Sequence, residues 1–143
     1  MEVPIIVKQE LNATAKEVWE AITAIDKMCQ WYFENIPDFK PELGFETSFL
    51  IENEGRKFTH QWKITEVDPL KKITYEWRFK EYPTILSVVT FLISEKGNKT
   101  LLKVSNDGIE TWPNNVPEFT RESCQRGWEY FINQNLKNYI NEL

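Results

Sequence analysis

The sequence is poor in the residues that build metal centres, disulfide frameworks and nucleophilic sites. Its 143 residues include one histidine, two cysteines and five glycines. Cys29 and Cys124 have no paired spacing, so the sequence predicts neither a disulfide framework nor a zinc site, and no other metal. Glycine-rich phosphate loops, G-x-S-x-G elbows and H-E-x-x-H motifs are missing from the sequence. We therefore expect no cofactor, and a thiol nucleophile is disfavoured.

Positive charge and long apolar runs are also scarce. The formal net charge is −5 and the isoelectric point is near 5.0, which disfavours binding to a nucleic-acid backbone. The longest apolar run, Ile85 to Ile93, is far shorter than the ~20 residues that span a bilayer. Met1 to Pro4 lacks the basic start and apolar core of a secretory signal. We therefore expect a cytoplasmic protein without nucleic-acid or membrane partners.

Aromatic residues, by contrast, are abundant. They make up 14% of the chain and include six tryptophans and nine phenylalanines. Such side chains fill cores or line cavities. A chain of this length is expected to fold as a single domain over residues 1–143 and to bury a substantial core.

The hydrophobic pattern predicts an α+β fold. Val3 to Leu11 is rich in β-branched residues and is predicted to be a strand. Thr14 and Glu17 form a capping-box motif that starts a helix, and Asp26 is expected to cap a second short helix. From Gly44 to Ser105 the pattern predicts an antiparallel meander with short turns.

Alternation within the predicted strands separates a covered face from a solvated face. The covered face carries Phe45, Phe49, Phe58, His60, Trp62, Tyr75 and Trp77. The strand predicted from Thr84 to Ser94 is apolar on both faces, so periodicity does not decide whether Ser87 or Thr90 points inward.

The last stretch, Pro117 to Leu143, is predicted to be one long amphipathic helix. From Trp128 onward, its apolar residues recur at spacings of three and four, which places them on one side of a helix. Gly127 lies mid-helix, where glycine costs about 1 kcal/mol relative to alanine, and this indicates either a close backbone contact or an opening beside Trp128. We expect the helix to lie across the curved sheet with a cavity between them.

Five segments, in chain order, together resemble one known family. They are Ala13–Thr23, Gln30–Tyr32, Glu66–Trp77, Lys99–Val104 and Gly127–Trp128. The set is similar to the homologues of the activator of heat shock protein 90 ATPase (the Aha-type domain) in the START-like, or SRPBCC, superfamily. The resemblance implies a helix-grip fold of the START and Bet v type. In that fold a curved antiparallel sheet wraps around a long C-terminal helix, two short helices follow the first strand, and a deep apolar cavity separates sheet and helix.

Three functional hypotheses follow. The first is binding of a hydrophobic or aromatic small molecule in the cavity, without catalysis. Its expected lining residues are Phe45, Phe49, Phe58, His60, Trp62, Tyr75, Trp77, Trp128 and Phe131. The second is a co-chaperone-like module that acts on a heat shock protein 90 type ATPase, and the third is a cyclase or dehydratase with His60 or Tyr75 as acid or base. The chain is expected to be a monomer or a homodimer.

Overall fold

A computed structural model describes residues 3–143 of the chain. Met1 and Glu2, which entered the signal-peptide prediction, lie outside the described residues. The first elements are β1 (Ile5–Leu11), α1 (Ala15–Thr23) and α2 (Ile25–Trp31). They are followed by β2 (Glu46–Asn53), β3 (Arg56–Asp68), β4 (Lys72–Phe79), β5 (Ser87–Lys96) and β6 (Lys99–Asp107).

The C-terminal part begins with two 3₁₀ turns, Ile109–Thr111 and Pro117–Phe119, within the segment 109–119. The C-terminal helix then runs from α3 (Arg121–Trp128) through a π-helical segment (Glu129–Leu136) into α4 (Lys137–Asn141). None of the helices within residues 3–143 is both long enough and apolar enough to cross a membrane.

The six strands form one antiparallel sheet in the order β1-β6-β5-β4-β3-β2. β2 to β6 follow one another as a meander, and β1 pairs with β6 at the far edge. The register shifts between Ile64 and Glu66 of β3, an irregularity of the kind that bends a strand. This architecture confirms the predicted α+β helix-grip fold, with two short helices after the first strand and a long C-terminal helix.

The start of α1 follows from the predicted capping box. The Thr14 hydroxyl accepts from the Glu17 N–H at 3.1 Å, and the Glu17 carboxylate accepts from the Thr14 N–H at 2.9 Å. Two backbone donors that a helix start leaves unpaired are thereby satisfied. The prediction for α2 is wrong in detail, because Ala24 is its N-cap residue and Asp26 lies in its first turn.

The C-terminal helix is shorter than predicted. Pro117–Phe119 forms a separate turn, and the Thr120 hydroxyl caps the helix by accepting from the Ser123 N–H at 3.1 Å. The buried stripe repeats every four residues and consists of Trp128, Ile132, Leu136 and Ile140. In an ideal α-helix this repeat drifts by roughly 40° at each step. The wider turns of the π-helical segment reduce the drift and keep the stripe against the sheet.

Two strands begin later than predicted. β5 starts at Ser87, because the Leu86 N–H donates to the Thr111 hydroxyl at 2.9 Å instead of joining the sheet. β1 starts at Ile5, and Pro4 before it has no N–H to contribute to a ladder.

Part of the concave face of the sheet is covered by two aromatic side chains that follow α2. The Tyr32 ring stacks between Trp31 and Trp62, with centroid distances of 4.6 and 5.4 Å. Phe33 lies beside it, 4.8 Å from the Phe131 ring of the C-terminal helix. The core beneath α1 and α2 is therefore closed, and the remaining space lies under α3 and the segment 109–119.

Candidate functional site

A cavity of about 380 Å³ lies between the sheet, the segment 109–119 and α3. Its apolar lining consists of Phe33, Ile51, Phe58, Trp77, Phe79, Trp112, Phe119, Cys124, Gly127, Trp128 and Phe131. Its buried polar lining consists of His60, Ser87 and Asn106, and its more exposed rim of Glu52, Asn53, Glu118 and Ser123. Both the volume and the composition are those of a site for a small organic molecule.

Five of the nine predicted lining residues border this cavity. They are Phe58, His60, Trp77, Trp128 and Phe131. Trp77 and Trp128 also contact each other edge to face, with centroids 5.8 Å apart, so the same rings form both core and wall.

The other four predicted residues do not line the cavity. Tyr32 covers Trp62 and Tyr75, and its hydroxyl oxygen lies 2.9 Å from that of Tyr75. Phe49 stacks on His60 from outside the cavity, with centroids 4.9 Å apart, and Phe45 packs partly buried near Phe39. Alternation predicts the face that a strand residue occupies, but not which part of that face the short helices cover.

Several lining residues were missed by the sequence interpretation because they come from outside the strands. Phe33 follows α2, and Trp112 and Phe119 belong to the segment 109–119. For Trp112, a large aromatic side chain outside any predicted helix or strand is the one signal that could have identified it, since loops normally lie on the surface. The structure also decides the open alternative on β5, because Ser87 lines the cavity and Thr90 does not.

His60, which lines this site, keeps one hydrogen-bond donor without a partner. The Trp77 indole N–H donates to His60 Nδ1 at 3.0 Å. Because an indole nitrogen can only donate, Nδ1 carries no proton and the neutral ring holds its hydrogen on Nε2. Burial lowers the pKa of His60 to about 3, so the ring is neutral near pH 7. Nothing within residues 3–143 accepts a hydrogen bond from Nε2.

Ser87 is a second donor, fixed by a separate network. The Trp128 indole donates to Asn106 Oδ1 at 3.1 Å, which orients the amide so that Nδ2 donates to Ser87 Oγ at 3.2 Å. The Trp112 indole donates to the same oxygen at 2.9 Å. Ser87 Oγ therefore accepts two hydrogen bonds, and its own hydrogen has no acceptor in the described part of the chain.

Glu118 fastens the rim of the cavity. Its carboxylate accepts from the Arg56 guanidinium at 2.7 and 2.9 Å and from the Asn53 amide at 2.7 Å. These hydrogen bonds, from Arg56 first, lower the pKa of Glu118 below its ordinary value. The turn Pro117–Phe119 is thereby tied to the β2–β3 hairpin beside the cavity.

The acid and base roles considered for His60 and Tyr75 lack partners. Among residues 3–143, no carboxylate is hydrogen-bonded to His60. The Tyr75 hydroxyl is covered by Tyr32, and burial raises the pKa of Tyr75 above its ordinary range. Burial also raises the pKa of Cys124 to about 12, which leaves the thiol protonated. The described residues contain no group of three or more His, Cys, Asp or Glu side chains that could hold a metal ion.

A curved antiparallel sheet that grips a C-terminal helix around a mostly apolar cavity defines a START-like, helix-grip protein. The family model described as Activator of Hsp90 ATPase homolog 1-like protein matches residues 12–141. Since the match covers most of the sequence, the chain belongs to this family, which confirms the predicted resemblance. No curated protein matches the chain significantly.

Solved structures share the fold over nearly the whole chain. Protein MLL2253 from Mesorhizobium loti is 23% identical with a TM-score of 0.74, and the alignment covers 97% of each chain. The Aha1 dimer from Colwellia psychrerythraea is 18% identical with a TM-score of 0.76, covering 97% of this chain and 96% of that one. Protein CV1439 from Chromobacterium violaceum is 18% identical with a TM-score of 0.78, covering 97% and 98%. At these identities the likeness establishes the fold alone.

Proposed function

We propose that the chain binds a small apolar or aromatic molecule in the cavity beneath α3. The observation that carries the proposal is a cavity of about 380 Å³ with a largely aromatic wall and a few fixed polar groups. A bicyclic ligand that buries ~200 Å² there gains roughly 5 kcal/mol at ~25 cal/mol per Å². Before the cost of immobilising the ligand is subtracted, that gain corresponds to a dissociation constant in the high micromolar range.

Gly127 offers a way to close the cavity without disturbing the fold. It lines the cavity, and a Cβ atom built on it meets no other atom within 4 Å. Of the two explanations for this mid-helix glycine, the opening therefore holds and the close backbone contact does not. A larger side chain at this position can enter the cavity without a collision at its first carbon.

We expect Gly127→Leu to abolish ligand binding and Gly127→Ala to preserve it. Alanine is favoured over glycine by about 1 kcal/mol inside a helix, so the alanine variant should be at least as stable as the wild type. Leucine occupies cavity volume that alanine leaves open. The measurement is a fluorescence titration with the neutral dye N-phenyl-1-naphthylamine.

The expected result is similar affinity for wild type and Gly127→Ala, and at least a roughly tenfold loss for Gly127→Leu, since one bulky group excludes a ligand of this size. Circular dichroism and thermal unfolding establish that all three proteins are folded. Equal dye affinity in folded wild type and folded Gly127→Leu would contradict binding in this cavity.

A further inference from the structure

Tryptophan side chains set the hydrogen-bonding polarity of the cavity. An indole N–H can donate but cannot accept. Trp77 therefore makes His60 Nδ1 an acceptor and leaves a hydrogen on Nε2. Trp112 donates directly to Ser87 Oγ, and Trp128 orients Asn106 so that its amide donates to the same oxygen. Two donors of the cavity lining therefore remain available to a ligand, the His60 N–H and the Ser87 O–H.

The two donors come from strands on either side of β4. Trp77 of β4 is paired directly with Ser87 of β5, and its indole reaches back to His60 of β3. His60 is 7% exposed and Ser87 is 4% exposed, and both line the cavity. An apolar ligand that covers such donors without pairing them loses affinity, because a buried unpaired polar group is costly.

The charges around the cavity restrict the acceptor that a ligand can bring. No lysine or arginine is among the lining residues, and of the two rim carboxylates the one on Glu118 is already paired with Arg56. An anionic oxygen would pass the Glu52 carboxylate and find no cation among the lining residues to balance its charge. A neutral oxygen can accept a hydrogen bond from such a donor without that penalty.

We propose that the cavity takes an aromatic or polycyclic ligand bearing a neutral carbonyl oxygen, as in a ketone, quinone or ester, which accepts a hydrogen bond from His60 Nε2, with Ser87 Oγ as a second donor in the same lining. This inference rests on the proposed binding function and adds the chemical class of the ligand. The donors, and not the aromatic wall, select the carbonyl compound among molecules of similar shape.

The first test uses the wild-type protein and 2-acetylnaphthalene. The carbonyl stretching band of the bound ketone is recorded by difference infrared spectroscopy and compared with its position in hexane. A hydrogen-bonded carbonyl absorbs at lower frequency, so a downward shift is expected. A band at the hexane position would overturn the proposal while leaving apolar binding in the cavity intact.

The second test assigns the hydrogen bond to His60. Dissociation constants are measured for 2-acetylnaphthalene and for 2-isopropenylnaphthalene, which has nearly the same shape and lacks the oxygen. The comparison covers wild type, His60→Gln, which keeps a donor and an acceptor, and His60→Phe, which keeps a ring and has neither. Circular dichroism checks that each variant is folded.

The preference for the ketone is the ratio of the two dissociation constants. We expect it to fall about three- to tenfold in His60→Phe, because one hydrogen bond is lost, and to be retained in His60→Gln. Taking the ratio of two constants removes any general effect of the substitution on the cavity. An unchanged ratio in folded His60→Phe overturns the role of His60. Tighter binding of 2-naphthoate than of 2-acetylnaphthalene overturns the requirement for a neutral oxygen, and binding of neither naphthalene to the wild type overturns the proposed function as well.

Discussion

At the scale of single residues, His60 is an uncharged group held in an aromatic environment. It stacks on Phe49 and accepts from the Trp77 indole, and burial lowers its pKa from 6.5 to about 3. Below pH 6.5, His60 therefore binds a proton in the unfolded chain but not in the folded chain. The contribution of neutral His60 to stability is complete above pH 6.5 and is lost as the pH falls towards 3.

This linkage predicts a specific loss of stability in mild acid. Between pH 7 and pH 5 the free energy of unfolding of the wild type should fall by about 2 kcal/mol more than that of His60→Gln, at about 1.4 kcal/mol per unit of pKa difference. Urea unfolding of both proteins at the two pH values measures this difference in the free energy of unfolding. Parallel losses in the two proteins would show that His60 does not titrate as described.

The buried pair of Tyr32 and Tyr75 predicts non-additive substitutions. Their hydroxyl oxygens lie 2.9 Å apart in the core, so replacing either tyrosine by phenylalanine leaves the other hydroxyl without its partner, at a cost of about 1–3 kcal/mol. Replacing both removes the need for a partner, and the double variant should lose less than the sum of the single losses. Guanidinium unfolding of the four proteins completes the cycle, and strictly additive losses would rule out the coupling.

At the scale of elements, the segment 109–119 is attached to the sheet in two ways: Val116 and Phe119 pack in a buried apolar cluster with Phe58 and Ile85, and polar contacts join its end to a hairpin. Glu118 bridges to Arg56 and Asn53 of the β2–β3 hairpin, and these side chains are partly exposed. Such contacts contribute no more than about 1 kcal/mol to overall stability. Their position beside the rim gives them a larger effect on movement of the segment and on access to the cavity.

We therefore expect Glu118→Ala to accelerate dye dissociation without unfolding the protein. Amide hydrogen exchange of Phe119 should increase, since its N–H bonds to the Val116 carbonyl within the same turn. The matched control is Glu122→Ala on the exposed side of α3, which removes a carboxylate paired with Arg126 and does not line the cavity. Stopped-flow dissociation rates that are the same in both variants would show that Glu118 does not control access.

The same elements show what local sequence can and cannot predict. The start of α1 depends on two residues three positions apart, Thr14 and Glu17, and the capping motif identifies it. The path of the segment 109–119 depends on Glu118 reaching Arg56, 62 residues away, which no local pattern encodes. The predicted helix therefore extended back to Pro117, where the structure has a separate turn.

At the scale of the whole molecule, strand alternation and short turns were sufficient to predict the sheet and the helix across it. They were not sufficient to place the cavity. Trp62 and Tyr75 share the concave face with Trp77, but Tyr32 covers the first two and leaves the third beside the cavity. A sequence pattern assigns a side chain to a face of the sheet. The position of the cavity depends on where the short helices place Tyr32 and Phe33.

Family membership and fold define the architecture of the protein, whereas its function depends on the side chains that line the cavity. The central claim is that the cavity beneath α3 receives a small aromatic molecule. A crystal structure of the protein grown with 2-acetylnaphthalene tests it most directly. The account predicts the naphthalene rings against Trp77, Phe119 and Trp128, with the ketone oxygen within hydrogen-bond distance of His60 Nε2. A cavity closed by its own side chains, with the ketone absent or bound only on the outer surface, would contradict it.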